Sequence, residues 1–161
     1  MRTGVRLGVD VGSVRVGVAT CDPAGVIATP VATLRRGSGD VAELARLCAE
    51  RAAVEIVVGL PRTLRGREGQ AAADAAAYAQ LLADTLRSTP VRLVDERLST
   101  VGAQRDLRAS GVGTRRGRSV VDQAAAVIIL QSALDEERAT GRAPGRQVQA
   151  STPGDDAKVE E

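Results

Sequence analysis

VRLGVDVGSVRVGVATC, residues 5–21, reads as two short strands and the turn that joins them. VRLGVDV (5–11) is one strand, Gly12-Ser13 the turn, and VRVGVATC (14–21) a second strand paired back on the first as a hairpin. VIATPVATL (26–34) extends the pattern to a third strand, broken or placed at an edge because Pro30 removes a ladder donor. Beyond this meander the period changes. Asp40 can cap a helix over 41–52 with Val41, Leu44, Ala45 and Cys48 on one face. VEIVVGL (54–60) is a compact apolar strand. An Ala-rich helix over 70–88, closed by Pro90, leads to a strand at VRLVD (91–95). Ser99 or Thr100 can cap a helix over about 100–110 that Gly111 ends, GVGTRRGRS (111–119) reads as a mobile basic segment, and 121–138 reads as a buried helix opened by Asp122. Strands separated by helices run parallel through right-handed crossovers. The fold class is therefore α/β: a mixed five-stranded sheet, three antiparallel strands plus two parallel ones, with helices on both faces.

The chain has 161 residues, enough for one packed domain, here 1–138. The stretch 139–161 holds almost no large apolar residue and reads as a disordered tail. No apolar run approaches the about 18 residues a membrane span requires, and the N-terminus lacks a leader pattern, so a cytoplasmic protein is expected. Cys21 and Cys48 read as two small buried thiols, a Cys21–Cys48 bridge being the alternative.

The absent residue types narrow the chemistry. The chain contains no His, which removes Ser-His-Asp and Cys-His catalysis and His-ligated zinc or haem. It has no Phe or Trp, and Tyr78 is its one aromatic residue, so it cannot hold single strands by stacking bases on rings. Nucleic acid would have to be held by charge. Residues 1–134 carry 18 basic and 13 acidic side chains, whereas the remainder carries 4 and 7, so the folded part has the balance that suits a phosphate-bearing partner.

Three carboxylates stand where structure alone does not ask for them. Asp10 lies inside an apolar strand; its local alternative is an Asx turn on the amides of Gly12 or Ser13. Glu96 follows the strand 91–95, beyond the carboxyl end of a parallel strand, where α/β sheets gather ligands; the alternative is an ion pair with Arg97. Asp122 precedes Ala125, Ala126 and Ile129 on the helical face that packs on the sheet; the alternative is an ordinary first-turn acid. These three can converge on one point. Clustered carboxylates without His suit Mg²⁺ or Mn²⁺, and two such ions can activate a water and stabilise the leaving oxygen of a phosphodiester. Arg62, Arg65 and Arg67 in the loop after the strand 54–60, and Arg115, Arg116 and Arg118 before the last helix, read as a phosphate clamp, or else as a solvated basic face.

The segments LGVDVGSVRVGVAT (7–20), VVGLPRTLRGREG (57–69), VRLVDERLST (91–100) and VVDQAAAVIILQSALD (120–135) resemble the YqgF/RuvX family of RNase H-like proteins. The resemblance covers about residues 4–138 and implies a fold similar to RNase H and Holliday-junction resolvases. It implies Asp10, Glu96 and Asp122 as a metal-binding catalytic set, with Arg15 and Arg97 near them for phosphate contact or support. It also implies a nuclease that matures the 5′ end of pre-16S ribosomal RNA, with ribosomal particles as partners, or one that cuts branched DNA, as monomer or homodimer. Val11, Gln123 and Ala125 depart from the family's residues, and Ala125 stands where resolvases of the RuvC type carry a fourth acid. Two other readings compete. A non-catalytic RNA-binding module would need the arginines and not the acids. An actin-like ATPase would need a second phosphate loop and a second domain, which 161 residues do not hold.

Overall fold

The computed structural model describes residues 1–61, 69–96 and 115–153, with backbone alone over 115–120. The chain runs through β1 (Arg6–Val11), β2 (Arg15–Cys21), β3 (Ala28–Arg35), α1 (Asp40–Arg51), β4 (Glu55–Leu60), α2 (Gln70–Leu86), β5 (Val91–Asp95), α3 (Arg115–Thr140) and β6 (Arg146–Val148). The sheet order is β3-β2-β1-β4-β5-β6. β1 pairs antiparallel with β2 and parallel with β4, which pairs parallel with β5. The expected meander and parallel pair are thus present, in one mixed sheet.

Alternation along the strands divides the core in two. Leu7, Val9 and Val11 of β1, Val16 and Val18 of β2, and Ile56, Val58 and Leu60 of β4 pack with Leu44 of α1 and Ala75, Tyr78 and Leu82 of α2. The opposite face presents Ala19, Val57 and Val94 to Ala125, Ala126, Ile129, Leu130 and Ala133 of α3. That second face also carries a buried charge network at the end of the sheet where β1 and β4 begin. Arg6 donates to Glu137 at 2.9 Å, and Arg2 donates to Glu137 at 2.6 Å and to Glu55 at 3.0 Å. Arg6, Glu55 and Glu137 are all buried, and the exposed Arg2 reaches in to balance the second buried carboxylate.

The structure corrects four sequence expectations. The sheet has six strands, because β6 pairs antiparallel with β5 through Val91–Val148 and Leu93–Arg146. Residues 146–148 therefore belong to the sheet and not to a disordered tail, and Pro144 and Val148 are buried. α3 starts at Arg115, so 115–119 is helical, and Asp122 lies two turns into the helix and does not open it. Asp40 is the first residue of α1 and does not cap it: Gly39 is the N-cap without a side-chain bond, while Asp40 accepts from the Gly37 amide and the Tyr78 hydroxyl. Cys21 and Cys48 are free buried thiols, and burial pushes Cys48 up to about 11. The helix expected over 100–110 and residues 154–161 lie outside the described residues. No helix among the described residues is long and apolar enough to cross a membrane.

Candidate functional site

Asp10 is the fifth residue of β1 and only 1% exposed. Its neighbours Val9 and Val11 point into the α1–α2 core, so alternation turns Asp10 to the α3 face. Both residues beside it on the adjoining strands are glycines. Gly17 of β2 is directly opposite Asp10. On β4, Val58 is level with Val9, which sets Gly59 beside Asp10.

These glycines make room for the other two acids. A Cβ at Gly17 would overlap the backbone carbonyl of Asp122, so α3 crosses β2 in backbone contact there. A Cβ at Gly59 would overlap the Glu96 carboxylate oxygen Oε1 and lie 2.5 Å from Ile129 Cδ1. Glu96 therefore folds back from the end of β5 over β4, while its amide donates to the Leu60 carbonyl at 3.2 Å. Glu96 and Asp122 are 5% and 2% exposed. The acid from the strand centre, the acid from the strand end and the acid from the helix share one face, on either side of a glycine-lined seat. Small residues on α3, Ala125 and Ala126, allow the close approach, which Gly8 beneath Leu130 and Ala126 continues along β1.

Arg15 stands on the same face of β2 and donates from Nε to Asp122 Oδ2 at 2.8 Å. With its side chain 29% exposed, Arg15 remains reachable from solvent. Gln123, beside Asp122, donates to Thr33 Oγ1 at 3.1 Å and fixes this part of α3 to β3. A hollow of about 30 Å³ opens beside Glu96, with Ile129, Ser132 and Glu136 in its wall. It has room for a water or small ion and not for a nucleotide.

The donor set fits a hard divalent cation in its chemistry. It is oxygen only and buried, and the Glu96 carboxylate lies in a cradle that a Cβ at Gly59 would fill. As the side chains stand, no three His, Cys, Asp or Glu among the described residues close into a ligand sphere, and Asp122 is turned to Arg15. Arg115, Arg116 and Arg118 begin α3, and their backbone alone is described. Arg62, Arg65, Arg67 and Arg97 lie outside the described residues. Sequence reasoning missed Gly17 and Gly59 as a seat beside the acids, because their role depends on strand order.

The fold resembles that of T. thermophilus RuvC in complex with Holliday junction substrate, with a TM-score of 0.54 and 14% identity over 87% of this chain and 99% of that one. A second Thermus thermophilus RuvC structure gives 0.51. In sequence the chain is 62% identical over 151 residues to a Kineococcus radiotolerans protein, covering 92% of this chain and 80% of the relative. It is 56% identical over 151 residues to one of Streptomyces coelicolor, covering 92% and 90%. Both relatives carry the description "Putative pre-16S rRNA nuclease". The family described as "RuvX: Holliday junction resolvase" matches residues 4–136, and with that span, the RNase H-like sheet and these relatives, the chain belongs to the RuvX family.

Proposed function

We propose that the protein is a divalent-metal-dependent nuclease that cuts ribosomal precursor RNA in the cytoplasm, with Asp10, Glu96 and Asp122 as its metal ligands. The observation that carries this reading is the pair of glycines flanking buried Asp10, one under the Asp122 backbone and the other under the Glu96 carboxylate. A fold gains nothing from three buried acids on one face unless a cation or a set of donors compensates them. Asp10, Glu96 and Asp122 would hold Mg²⁺ or Mn²⁺, which when bound would supply an activated water and charge stabilisation for the leaving oxygen of the phosphodiester. Arg15, already beside Asp122, is suited to meet a phosphate oxygen at the rim of the site. Arg115, Arg116 and Arg118 occupy the first turns of α3, where the helix dipole disfavours cations unless an anion accompanies them. The phosphate backbone is such an anion, and Arg62, Arg65, Arg67 and Arg97 are further candidates to hold it.

Ribosomal precursor RNA is the favoured substrate because it is the one named for relatives at 62% and 56% identity. The family description favours a second reading, resolution of branched DNA. The experiment is cleavage of a pre-16S fragment and of a four-way DNA junction, with Mn²⁺ and with chelator. Metal-dependent cutting of the RNA at its 5′ precursor segment is expected. In Asp10→Asn, cleavage falls by three orders of magnitude or more while RNA affinity stays within about twofold, since phosphate contacts by arginine supply the binding. Cleavage unchanged in Asp10→Asn rejects the assignment of these acids, and efficient cutting of the junction alone selects the DNA reading.

A further inference from the structure

The turn between Asp10 and Arg15 is held from outside by a residue with no part in the acid cluster. Gly12 closes the turn by donating its amide to the Arg15 carbonyl at 2.9 Å. Arg36, just past the end of β3, grips the turn twice. Its amide donates to the Val14 carbonyl at 2.9 Å, and its Nη1 donates to the Gly12 carbonyl at 3.1 Å.

The other side of that guanidinium is fixed to α2. Nη1 and Nη2 form a fork on Asp74, at 2.5 and 2.8 Å. The guanidinium also lies 5.3 Å from the centroid of the Tyr78 ring, one helical turn further along. Tyr78 is itself locked, donating its hydroxyl to Asp40 at 2.6 Å. A planar cation held by a carboxylate fork at its edge and a ring on its face has little rotational freedom left. Arg36 holds the Asp74 carboxyl below its ordinary range through the hydrogen-bonded fork. Asp74 is the fifth residue of α2, whose N-cap is Gly69.

We propose that Arg36 is a positioning residue of the nuclease site: through the Gly12 and Val14 carbonyls it fixes the turn that joins the strand of Asp10 to the strand of Arg15, and through Asp74 it ties that turn to the start of α2. This rests on the nuclease reading above. An exposed ion pair placed only for stability has no need of a third bond to a turn carbonyl. Here the same Nη1 serves both the carboxylate and the turn, so movement of α2 and movement of the turn are mechanically linked.

The test uses the full chain with Arg36→Lys, which keeps the charge and loses the fork, and with Asp74→Asn, which loosens the far end and leaves Arg36 in place. Three quantities are read in each: amide hydrogen exchange at residues 12–14, Mn²⁺ affinity by calorimetry, and kcat against KM for the RNA fragment. In Arg36→Lys, exchange at 12–14 is expected to rise at least tenfold above any rise in β4. Mn²⁺ affinity weakens three- to tenfold, and kcat falls at least tenfold with KM within twofold. Asp74→Asn is expected to show the same pattern at smaller amplitude. Exchange that rises uniformly over the sheet, or Mn²⁺ affinity equal to that of the parent in both variants, overturns the proposal and leaves Arg36 a brace. If the parent protein binds no Mn²⁺ and cuts nothing, the nuclease reading fails first and the positioning role fails with it. If the parent cuts and Arg36→Lys cuts equally well, the positioning role fails alone.

Discussion

Arg15 and Asp122 form an ion pair whose loss tests both the stability of the fold and the proposed metal site. Asp122 is 2% exposed and accepts from Arg15 across 107 positions of sequence. Removing a cation from a buried carboxylate costs about 3–5 kcal/mol in well-formed pairs. Arg15 is partly exposed, so screening brings the loss in Arg15→Gln to the bottom of that range or below it, about 2–3 kcal/mol. If Asp122 is also a metal ligand, Mn²⁺ replaces part of the missing charge. The melting temperature of Arg15→Gln should then rise more on adding Mn²⁺ than that of the parent; an equal or smaller rise in thermal denaturation argues against a shared charge balance. The burial of Asp10 and Asp122 was legible in the sequence, because a carboxylate inside VRLGVDV, or one on the helical face of Ala125, Ala126 and Ile129, breaks an apolar pattern. Arg36 was not. It sits in LRRG among many arginines, and its importance comes from Gly12 and Asp74, 24 and 38 positions away.

The seat under α3 belongs to the element scale. Two glycines face the helix on strands flanking Asp10, yet they are occupied differently, and their substitutions should differ. At Gly17 the obstacle is helix backbone, which cannot rotate away. Gly17→Ala must lift α3 from β2, and overpacking of this kind costs about 1–3 kcal/mol. At Gly59 the obstacles are the end of Glu96 and the tip of Ile129, both of which can turn aside. Gly59→Ala is expected to cost under about 1 kcal/mol in urea denaturation while weakening Mn²⁺ binding at least tenfold, because Glu96 is the group displaced. Equal effects of the two variants on stability would contradict the difference between backbone and side-chain contact. Strand and helix periodicity exposed most of these elements in advance. The start of α3 was hidden because RRGRS (115–119) carries charges and a glycine in place of an apolar stripe, and its helicity is set by continuation from the buried turns that follow.

At the scale of the whole molecule, the last described segment acts as a strap. After α3 the chain turns at Gly141, and β6 covers the edge of β5, whose next residue is Glu96. Arg92 of β5 donates to the carbonyls of Pro144 and Gly145 at 2.5 and 3.2 Å. Further on, Asp84 of α2 accepts from the Ser151 amide at 2.7 Å, and Gln80 donates to the Gln149 carbonyl at 2.8 Å. The strap thus joins α3, β5 and α2 through backbone atoms, which is why sequence could not announce it. RQV has one buried apolar side chain and no period, and backbone hydrogen bonds leave no compositional trace. Ending the chain at residue 140 uncovers the β5 edge and exposes the sites of Val148 and Pro144. The burial of two such side chains is worth about 2–4 kcal/mol, and the expected loss in chemical denaturation is of that size. Because β5 delivers Glu96, the truncated protein should also lose amide protection along Val91–Asp95 while β1 and β2 keep theirs. The charge network of Arg2, Arg6, Glu55 and Glu137 ties β1, β4 and α3 together without a residue of the strap. Protection lost evenly across all strands would mean instead that the strap is part of one cooperative unit with the charge network, and that the Glu96 side of the site cannot loosen without the Asp10 side.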